Sequence, residues 1–453
     1  MGAGKTTLGE EVARRLGRPF RDVDREIELT LNTSIKSFFA EHGEEAFRVR
    51  ESAMTVRALR DATPSVLALG GGAITQPAVR EALRERAVTV LVDVDPKTAW
   101  ERVEGSDRPL AQERGAFFAL YDQRAPLYRE VADLVPRDAD DVVLAAAGVH
   151  VERGALARLA ELVPGDGPVA LVSDSHVAGI HGAQAQLALR GRLAETHELP
   201  PGEEAKTLAT LDRLWQELRL DRAGTIVALG GGCTIDAAGF AAAAYLRGVD
   251  WVPVATSLVA QVDAAIGGKT AIDLPQGKNL VGAFHWPVAT VIDPALLETL
   301  PDAQRREGMS EVVKTGLLAG EPLWELPDNE LVRRCAAYKA AICLRDPHDR
   351  GERKMLNLGH TFAHALEAAA GYEGVTHGQA VALGLLAALR LSGRDIGQVE
   401  EILHPKPVKV DRERAWQALL RDKKGALKLV LLDGYDIEVP AEDVRRELDR
   451  LIA

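Results

Sequence analysis

Glu311, His360 and His377 are one carboxylate and two imidazoles, the donor types that hold a divalent cation such as Zn2+. Glu311 opens Glu311-Val-Val-Lys314, His360 lies in Asn357-Leu-Gly-His360-Thr-Phe-Ala-His364, and His377 follows in Thr376-His377-Gly378, all within a stretch that reads as helical. Three protein ligands leave at least one coordination position open, which suits a catalytic cation rather than a structural one. The plainer alternative makes His360 and His364 a packed i, i+4 pair and Glu311–Lys314 a surface ion pair. A glycine-rich turn upstream, Gly230-Gly231-Gly232, weighs against it, because a metal beside a dinucleotide site points to redox work on a hydroxylated substrate.

Two phosphate-type turns must be positioned. Gly230-Gly231-Gly232-Cys233-Thr-Ile-Asp236 follows the buried-strand run Thr225-Ile-Val-Ala-Leu229 and opens a helix, so its backbone can approach a pyrophosphate at a helix N-terminus. A lone triple glycine is as often a tight turn. At the other end, Gly2-Ala3-Gly4-Lys5-Thr6-Thr7 reads as the second half of a P-loop: Gly2 and Gly4 free the backbone N–H groups for phosphate, Lys5 adds a point charge, and the Thr6 hydroxyl ligates Mg2+. The full motif places its first glycine before residue 1 and a strand ahead of it. The expectation is therefore a first strand missing from the sheet and a start lying upstream, since a missing central strand forfeits ~1.5–3 kcal/mol per buried side chain.

The elements that carry these turns are α/β. Ser65-Val-Leu-Ala-Leu69 and Val88-Thr-Val-Leu-Val-Asp93 are strand-like runs between helical patterns, which predicts a parallel sheet over residues 1–147. Val169-Ala-Leu-Val-Ser173 and Thr225–Leu229 begin a second, Rossmann-like α/β domain over 148–305. From about Arg306 Ala/Leu-rich helical periodicity takes over, giving a mostly helical third domain, 306–453, that carries the metal residues. The net charge of −12 excludes general nucleic-acid affinity, so anionic substrates must be met by local Lys and Arg clusters. Cys233, Cys335 and Cys343 are odd in number and lack any C-x-x-C spacing, which fits a reducing cytoplasm. No apolar run approaches ~18 residues and no signal-like N-terminus is present, so neither membrane insertion nor export is expected.

Asp22-Val-Asp24-Arg-Glu-Ile-Glu28, Phe47-Arg48-x-x-Glu51, Gly70-Gly71-Gly72, Arg108-Pro-Leu110 and Arg124-Ala-Pro-Leu-Tyr128 occur in the order and rough spacing of the shikimate kinases. The first domain resembles that family throughout. The resemblance implies ATP with Mg2+, phosphorylation of shikimate, and substrate contacts from Asp24, Arg48, Gly71, Gly72 and Arg124, with Arg108 in a mobile lid. Taken singly, each of these charged residues reads equally as part of a solvated face.

Beyond it, the triple glycine is joined by Arg247-Gly248, Thr256-Ser257, Asp263-Ala-Ala-Ile-Gly267-Gly268-Lys269-Thr270, Gly277-Lys278-Asn279-Leu-Val-Gly282, Arg353-x-x-x-Asn357 and Asp422-Lys423-Lys424. This ordered set resembles the 3-dehydroquinate synthases from about Val149 to Ala453. The resemblance implies conversion of a keto sugar-acid phosphate, 3-deoxy-D-arabino-heptulosonate 7-phosphate, to 3-dehydroquinate and phosphate. NAD is recycled in that reaction, and Zn2+ (or Co2+) is held by Glu311, His360 and His377. It implies Lys314 and Lys339 at the substrate carboxylate and hydroxyls, and Asp263 bridging a lysine and substrate. Lys269, Lys278, Asn279, Asn357, His364 and Lys424 gather near the phosphate, with His364 as proton shuttle, Arg353 a further catalytic-site residue and Arg247 supplied by the neighbouring subunit of a homodimer. Asp174, Glu203, Lys206, Asp236, Thr256 and Ser257 join the glycines at the NAD site. Ala255, Thr315 and Ala363 depart from the family pattern, which touches fine positioning only. Three rivals remain: a polyol dehydrogenase that releases NADH, another sugar-phosphate cyclase, and a non-catalytic kinase-like module.

Overall fold

Gly4, in the left-handed region at φ +87°, turns the chain into α1 (Lys5–Leu16), and this glycine-to-helix start opens the N-terminal α/β unit. The computed structural model describes residues 2–105, 113–372, 374–422 and 427–453 and divides into two compact units, Met1–Ala146 and Ala147–Ala453. Arg108 and Lys424 lie outside the described residues.

In the first unit, β1 (Phe20–Asp22) leads into α2 (Val23–Leu31) and α3 (Ile35–Leu59), and β2 (Val66–Ala68) returns to pair parallel with β1, Phe20 opposite Val66. Asp22 caps α2 by accepting from the Arg25 N–H. A later helix, α4 (Arg114–Val131), packs its Tyr128 hydroxyl onto the Gly71 carbonyl at 2.6 Å. The predicted strand Val88–Asp93 makes a single parallel bridge, Val90 with Leu134. A cavity of about 600 Å³, lined in part by Leu8, Val12, Leu67, Leu69, Val90 and Val92, borders it and leaves no backbone ladder there.

The second unit is built on a six-stranded, all-parallel sheet in the order β3-β10-β7-β6-β4-β5. Its strands are β3 (Val149–Val151), β4 (Val169–Asp174), β5 (Leu193–Leu199), β6 (Thr225–Gly230), β7 (Asp250–Ala255) and β10 (Thr290–Ile292), with β8 (Lys269–Leu274) and β9 (Gly277–Phe284) forming a separate antiparallel hairpin. Every residue of β4 and β6 is buried, as expected of strands covered on both faces. After β5 the chain crosses to the far side of β4 to lay down β6, so the strand order reverses between β4 and β6. Ligands of open parallel sheets bind beyond the carboxyl ends of the strands at such a reversal. Asp174 and Gly230 stand at those two ends, and Gly231 caps α5 (Gly232–Ala244).

Helices follow: α6 (Asp302–Ala319), α7 (Asp328–Arg345), α8 (His360–Ala369) and α9 (His377–Leu391). Val313, Leu358, Phe362, Leu366, Val381 and Leu385 pack one apolar core across α6, α8 and α9. An antiparallel hairpin, β11 (Lys428–Leu431) and β12 (Gly434–Glu438), adds strand to a region that reads as helical from sequence. No described helix is long and apolar enough to cross a membrane.

Candidate metal centre and nucleotide turns

Glu311 sits in the middle of α6, while His360 and His377 are the first residues of α8 and α9. A helix N-terminus disfavours a charged imidazolium, which works with burial to keep the His360 ring a neutral ligand. Gly359 holds φ +79° ahead of His360, and a Cβ there would meet the Leu385 backbone nitrogen at 2.8 Å, so α8 and α9 cross in close contact. The crossing sets the His360 and His377 rings 5.5 Å apart.

Glu311 Oε1 lies 3.5 Å from His360 Nε2 and 3.4 Å from His377 Nε2. Those distances exceed a hydrogen bond of about 2.7–3.2 Å, yet they match the spacing of about 3.4 Å between ligand atoms on a tetrahedral Zn2+. Both oxygens of Glu311 are buried: Oε2 lies against the Lys314 ammonium, and Oε1 is left facing the two imidazoles. One ligand atom from each of the three residues falls within 4.8 Å of the others. A buried carboxylate oxygen facing two imidazole nitrogens at ligand spacing fits a cation. Burial opposes the charge on Glu311, but Lys314 and the two histidines hold its carboxyl well below the usual range. Burial and the nearby Lys314 push His360 down to about 3. His377 is raised to about 10: burial works against its charge, and the Glu311 and Glu367 carboxylates outweigh it.

Next to this triad, the buried Lys314 ammonium lies against Glu311 and 3.9 Å from Asp263. Lys339 bonds the Asp263 carboxylate at 2.6 Å and its carbonyl oxygen at 2.7 Å. Asp263 is half-buried, which works against its charge, but these two lysines keep its carboxyl below its ordinary value. His364 stands one turn along α8, its ring 5.6 Å from that of His360. Thr315 returns its hydroxyl to the Glu311 carbonyl at 2.8 Å, a local bond within α6.

At the glycine turn, Gly231 and Gly232 each leave room for a close approach, with Ser257 Oγ 3.4 Å from a Cβ built on Gly231. The Thr256 N–H bonds the Gly230 carbonyl at 3.0 Å. The Asp174 carboxylate is engaged locally: it accepts from the His176 and Val177 N–H groups and, at 2.9 Å, from the Thr234 hydroxyl. The buried Lys206 bonds Asp236 at 2.8 Å and Asn279, and lies 3.8 Å from Asp273. Asn279, grouped from sequence with the phosphate residues, thus joins the Lys206 cluster. Lys269 pairs with Asp349, and Lys278 pairs with Glu203 at 2.6 Å. Arg353 is buried, with its guanidinium on the Gly267 and Pro347 carbonyls at 2.8 and 3.1 Å, and it fixes the turn before β8. Asn357 ends a short 3-10 turn just ahead of α8, and Arg247 lies exposed in a left-handed turn at φ +69°.

In the first unit, Asp24 and Arg48 flank the triple glycine: a Cβ on Gly70 would meet Asp24 Oδ1 at 2.5 Å, and one on Gly72 would meet Arg48 Nη1 at 2.0 Å. Arg48 bonds Glu51 at 2.6 Å and Glu44 at 2.8 Å. Arg124 is buried with Glu44 3.9 Å away, and burial together with the Arg48 charge lowers its pKa. Two sheltered guanidiniums beside Gly71 and Gly72 can bind a carboxylate. Lys5 is the first residue of α1, directly after Gly2 and Gly4, with Thr6 next to it.

Sequence reasoning missed Glu367, Glu307 and Asp273 as site residues. Glu367 could have been found: with His360 and His364 it makes an i, i+4, i+7 face of one helix.

A family model described as 3-dehydroquinate synthase N-terminal matches residues 196–307, and one described as 3-dehydroquinate synthase C-terminal matches residues 308–425. A third, shikimate kinase, matches residues 1–151. The 3-dehydroquinate synthase of Bordetella pertussis is 37% identical over 341 residues, covering 67% of this chain and 95% of its own. That of Gloeobacter violaceus is 40% identical over 346 residues, with 67% and 96% covered. The solved structure of a 2-deoxy-scyllo-inosose synthase complexed with carbaglucose-6-phosphate, NAD+ and Co2+ matches with a TM-score of 0.60 at 26% identity, over 67% of this chain and 96% of that one.

Proposed function

The chain belongs to the 3-dehydroquinate synthase family and carries a shikimate kinase domain ahead of that part; from this premise we propose that the second unit converts 3-deoxy-D-arabino-heptulosonate 7-phosphate to 3-dehydroquinate and phosphate, while the first phosphorylates shikimate with ATP. The observation that carries the synthase reading is the buried Glu311 carboxylate, whose Oε1 faces His360 and His377 Nε2 at 3.4–3.5 Å. Glu311, His360 and His377 would hold Zn2+ or Co2+, which would lower the pKa of ligated substrate hydroxyls, and the glycine turn would hold NAD+, which would supply reversible hydride chemistry. The structurally similar inosose synthase was solved with NAD+ and Co2+, which supports the same cofactor pair here.

The chain's own residues supply the rest. Lys314 and Lys339, arrayed on Asp263, offer positive charge for the substrate carboxylate and hydroxyls. Lys269, Lys278, Asn279, Asn357 and Lys424 are the phosphate collectors, and each paired lysine can exchange its acidic partner for the dianion. His364, one turn from His360 on α8, is the residue that moves the proton. Residues 148–305 bind NAD through Gly230, Gly231, Gly232, Asp174, Glu203, Lys206, Asp236, Thr256 and Ser257, and residues 306–453 supply the metal centre. At the kinase site Gly2, Gly4, Lys5 and Thr6 take ATP with Mg2+, with Arg108 assigned to the same nucleotide, and Asp24, Arg48, Gly71, Gly72 and Arg124 take shikimate.

A homodimer through the second unit is part of this reading. Leu246 beside Arg247, and Leu280, Val281 and Phe284 on β9, are exposed apolar side chains suited to a partner. Three free thiols suit the cytoplasm. The deciding assay follows phosphate release and 3-dehydroquinate formation from the heptulosonate phosphate in the presence of NAD+. Product without net NADH supports the reading. Accumulating NADH identifies a polyol dehydrogenase, and turnover of glucose 6-phosphate alone identifies a different cyclase.

A further inference from the structure

His377 is the least sheltered member of the metal triad, with its side chain 39% exposed against 12% for His360 and 1% for Glu311. It begins a helix, so nothing within α9 itself fixes its ring ahead of the first turn. Two carboxylates from other helices do. Glu307, one turn before Glu311 on α6, accepts from the Thr376 hydroxyl and from the Gly378 N–H, both at 2.6 Å. These bonds pin the backbone on either side of His377. A Cβ on Gly378 would stand 2.5 Å from Glu307 Cα, so the two helices meet without slack.

Glu367 acts on the ring. It is buried on α8, and its Oε1 lies 3.4 Å from His377 Nδ1, an ion-pair distance slightly longer than a hydrogen bond, on the side of the imidazole away from Glu311. His360 has the equivalent arrangement with a neutral acceptor, since its Nδ1 faces the Leu358 carbonyl at 3.2 Å. Both rings therefore turn Nε2 inward and show Nδ1 to an oxygen. In metal sites such outer acceptors fix the tautomer and orientation of the ligand. Glu367 also lies 4.0 Å from Lys278 Nζ, which is held in turn by Glu203 at 2.6 Å. A chain of alternating charge thus runs from the nucleotide side of the unit to a metal ligand.

We propose that Glu367 is a positioning residue for the synthase reaction: it receives the Nδ1–H of His377, so that Nε2 is the atom offered to the cation, and through Lys278 it ties that ligand to the β8–β9 hairpin. The proposal rests on the metal-centre reading above. In Glu367→Met the shape is kept and the acceptor lost; in Glu367→Gln the side-chain oxygen still accepts while the charge for Lys278 is gone.

The test measures Zn2+ affinity by competition with a chelator on the full chain, together with 15N–1H correlation of the histidine rings in the unsubstituted Zn2+-loaded protein. Glu367→Met should weaken Zn2+ by about 10- to 100-fold. Glu367→Gln should stay within about threefold for Zn2+ while the KM for the phosphorylated substrate rises through Lys278. The spectra should show His377 protonated at Nδ1. Equal Zn2+ affinity in wild type and Glu367→Met, or a His377 proton on Nε2, overturns the proposal, and the spectrum decides even where a variant does not fold. Failure of the unsubstituted chain to bind Zn2+ or Co2+ at all sinks the metal-centre reading instead.

Discussion

Lys314 is buried against Glu311 and helps keep that carboxylate charged in a place where a lone charge is costly. Removing one member of a buried pair strands the other at ~3–5 kcal/mol. Lys314→Met is therefore expected to destabilise the metal-free protein by about that amount, roughly 6–20 °C in melting midpoint. Zn2+ should restore most of the loss, because a cation on Glu311 supplies the missing compensation. Calorimetry with and without Zn2+ checks this, and an equal loss in both states counts against Glu311 as a ligand. At this scale the sequence is informative where residue type alone limits the chemistry: Glu311, His360 and His377 stand out as donors before any fold is known. Glu367 and Glu307 do not, since an acidic residue on a helix reads as a solvated face until the start of α9 is seen to lie against both. Arg353 is a different case. Its motif places it among functional residues, while its guanidinium bonds two backbone carbonyls.

The crossing of α8 and α9 is the element on which the metal geometry depends. A Cβ on Gly384 would stand 2.1 Å from the Gly359 carbonyl oxygen and 3.3 Å from the Ala363 nitrogen, both backbone atoms that cannot swing aside. Gly384→Ala is expected to push the helices apart, cost ~1–3 kcal/mol, and lower Zn2+ stoichiometry because His360 and His377 ride on the separated helix starts. Gly179→Ala, where nothing lies within 4 Å, is the comparison that should leave both quantities unchanged. Retained stoichiometry in Gly384→Ala would show that the crossing does not set the ligand spacing. Periodicity predicts the buried strands at Val169 and Thr225 because alternation is replaced there by continuous apolar runs bounded by turns. It overreaches at Val88–Asp93, since an apolar run becomes a strand only when a neighbouring backbone takes its hydrogen bonds, and one bridge is all that forms. It misses β11 and β12, two short strands whose Asp433-Gly434 turn is a hairpin signal hidden within a helical neighbourhood.

Across the whole molecule, two chemistries are gathered separately. Lys5, Asp24, Arg48 and Arg124 fall within Met1–Ala146, and Glu311, Lys314, His360 and His377 fall within Ala147–Ala453. The chain carries a net charge of −12, so each unit meets its anionic substrate through a local cluster, not through a general positive field. Phosphorylating shikimate and making 3-dehydroquinate are not consecutive steps, which removes any need for an intermediate to pass between the units. Independent sites should respond independently. Lys5→Ala removes the charge beside the phosphate turn and is expected to lower kinase turnover on the order of 100-fold or more, with synthase kcat unchanged. Glu311→Gln should do the reverse, and it should empty the metal site while the kinase still works. Phenanthroline in excess Mg2+ provides the same separation without mutation, because it strips Zn2+ or Co2+ from nitrogen and oxygen ligands but leaves the Mg2+ that accompanies ATP. Parallel assays of both activities on the full chain decide the matter: if either substitution or the chelator depresses both turnovers together, the two units are coupled and each activity depends on the state of the other.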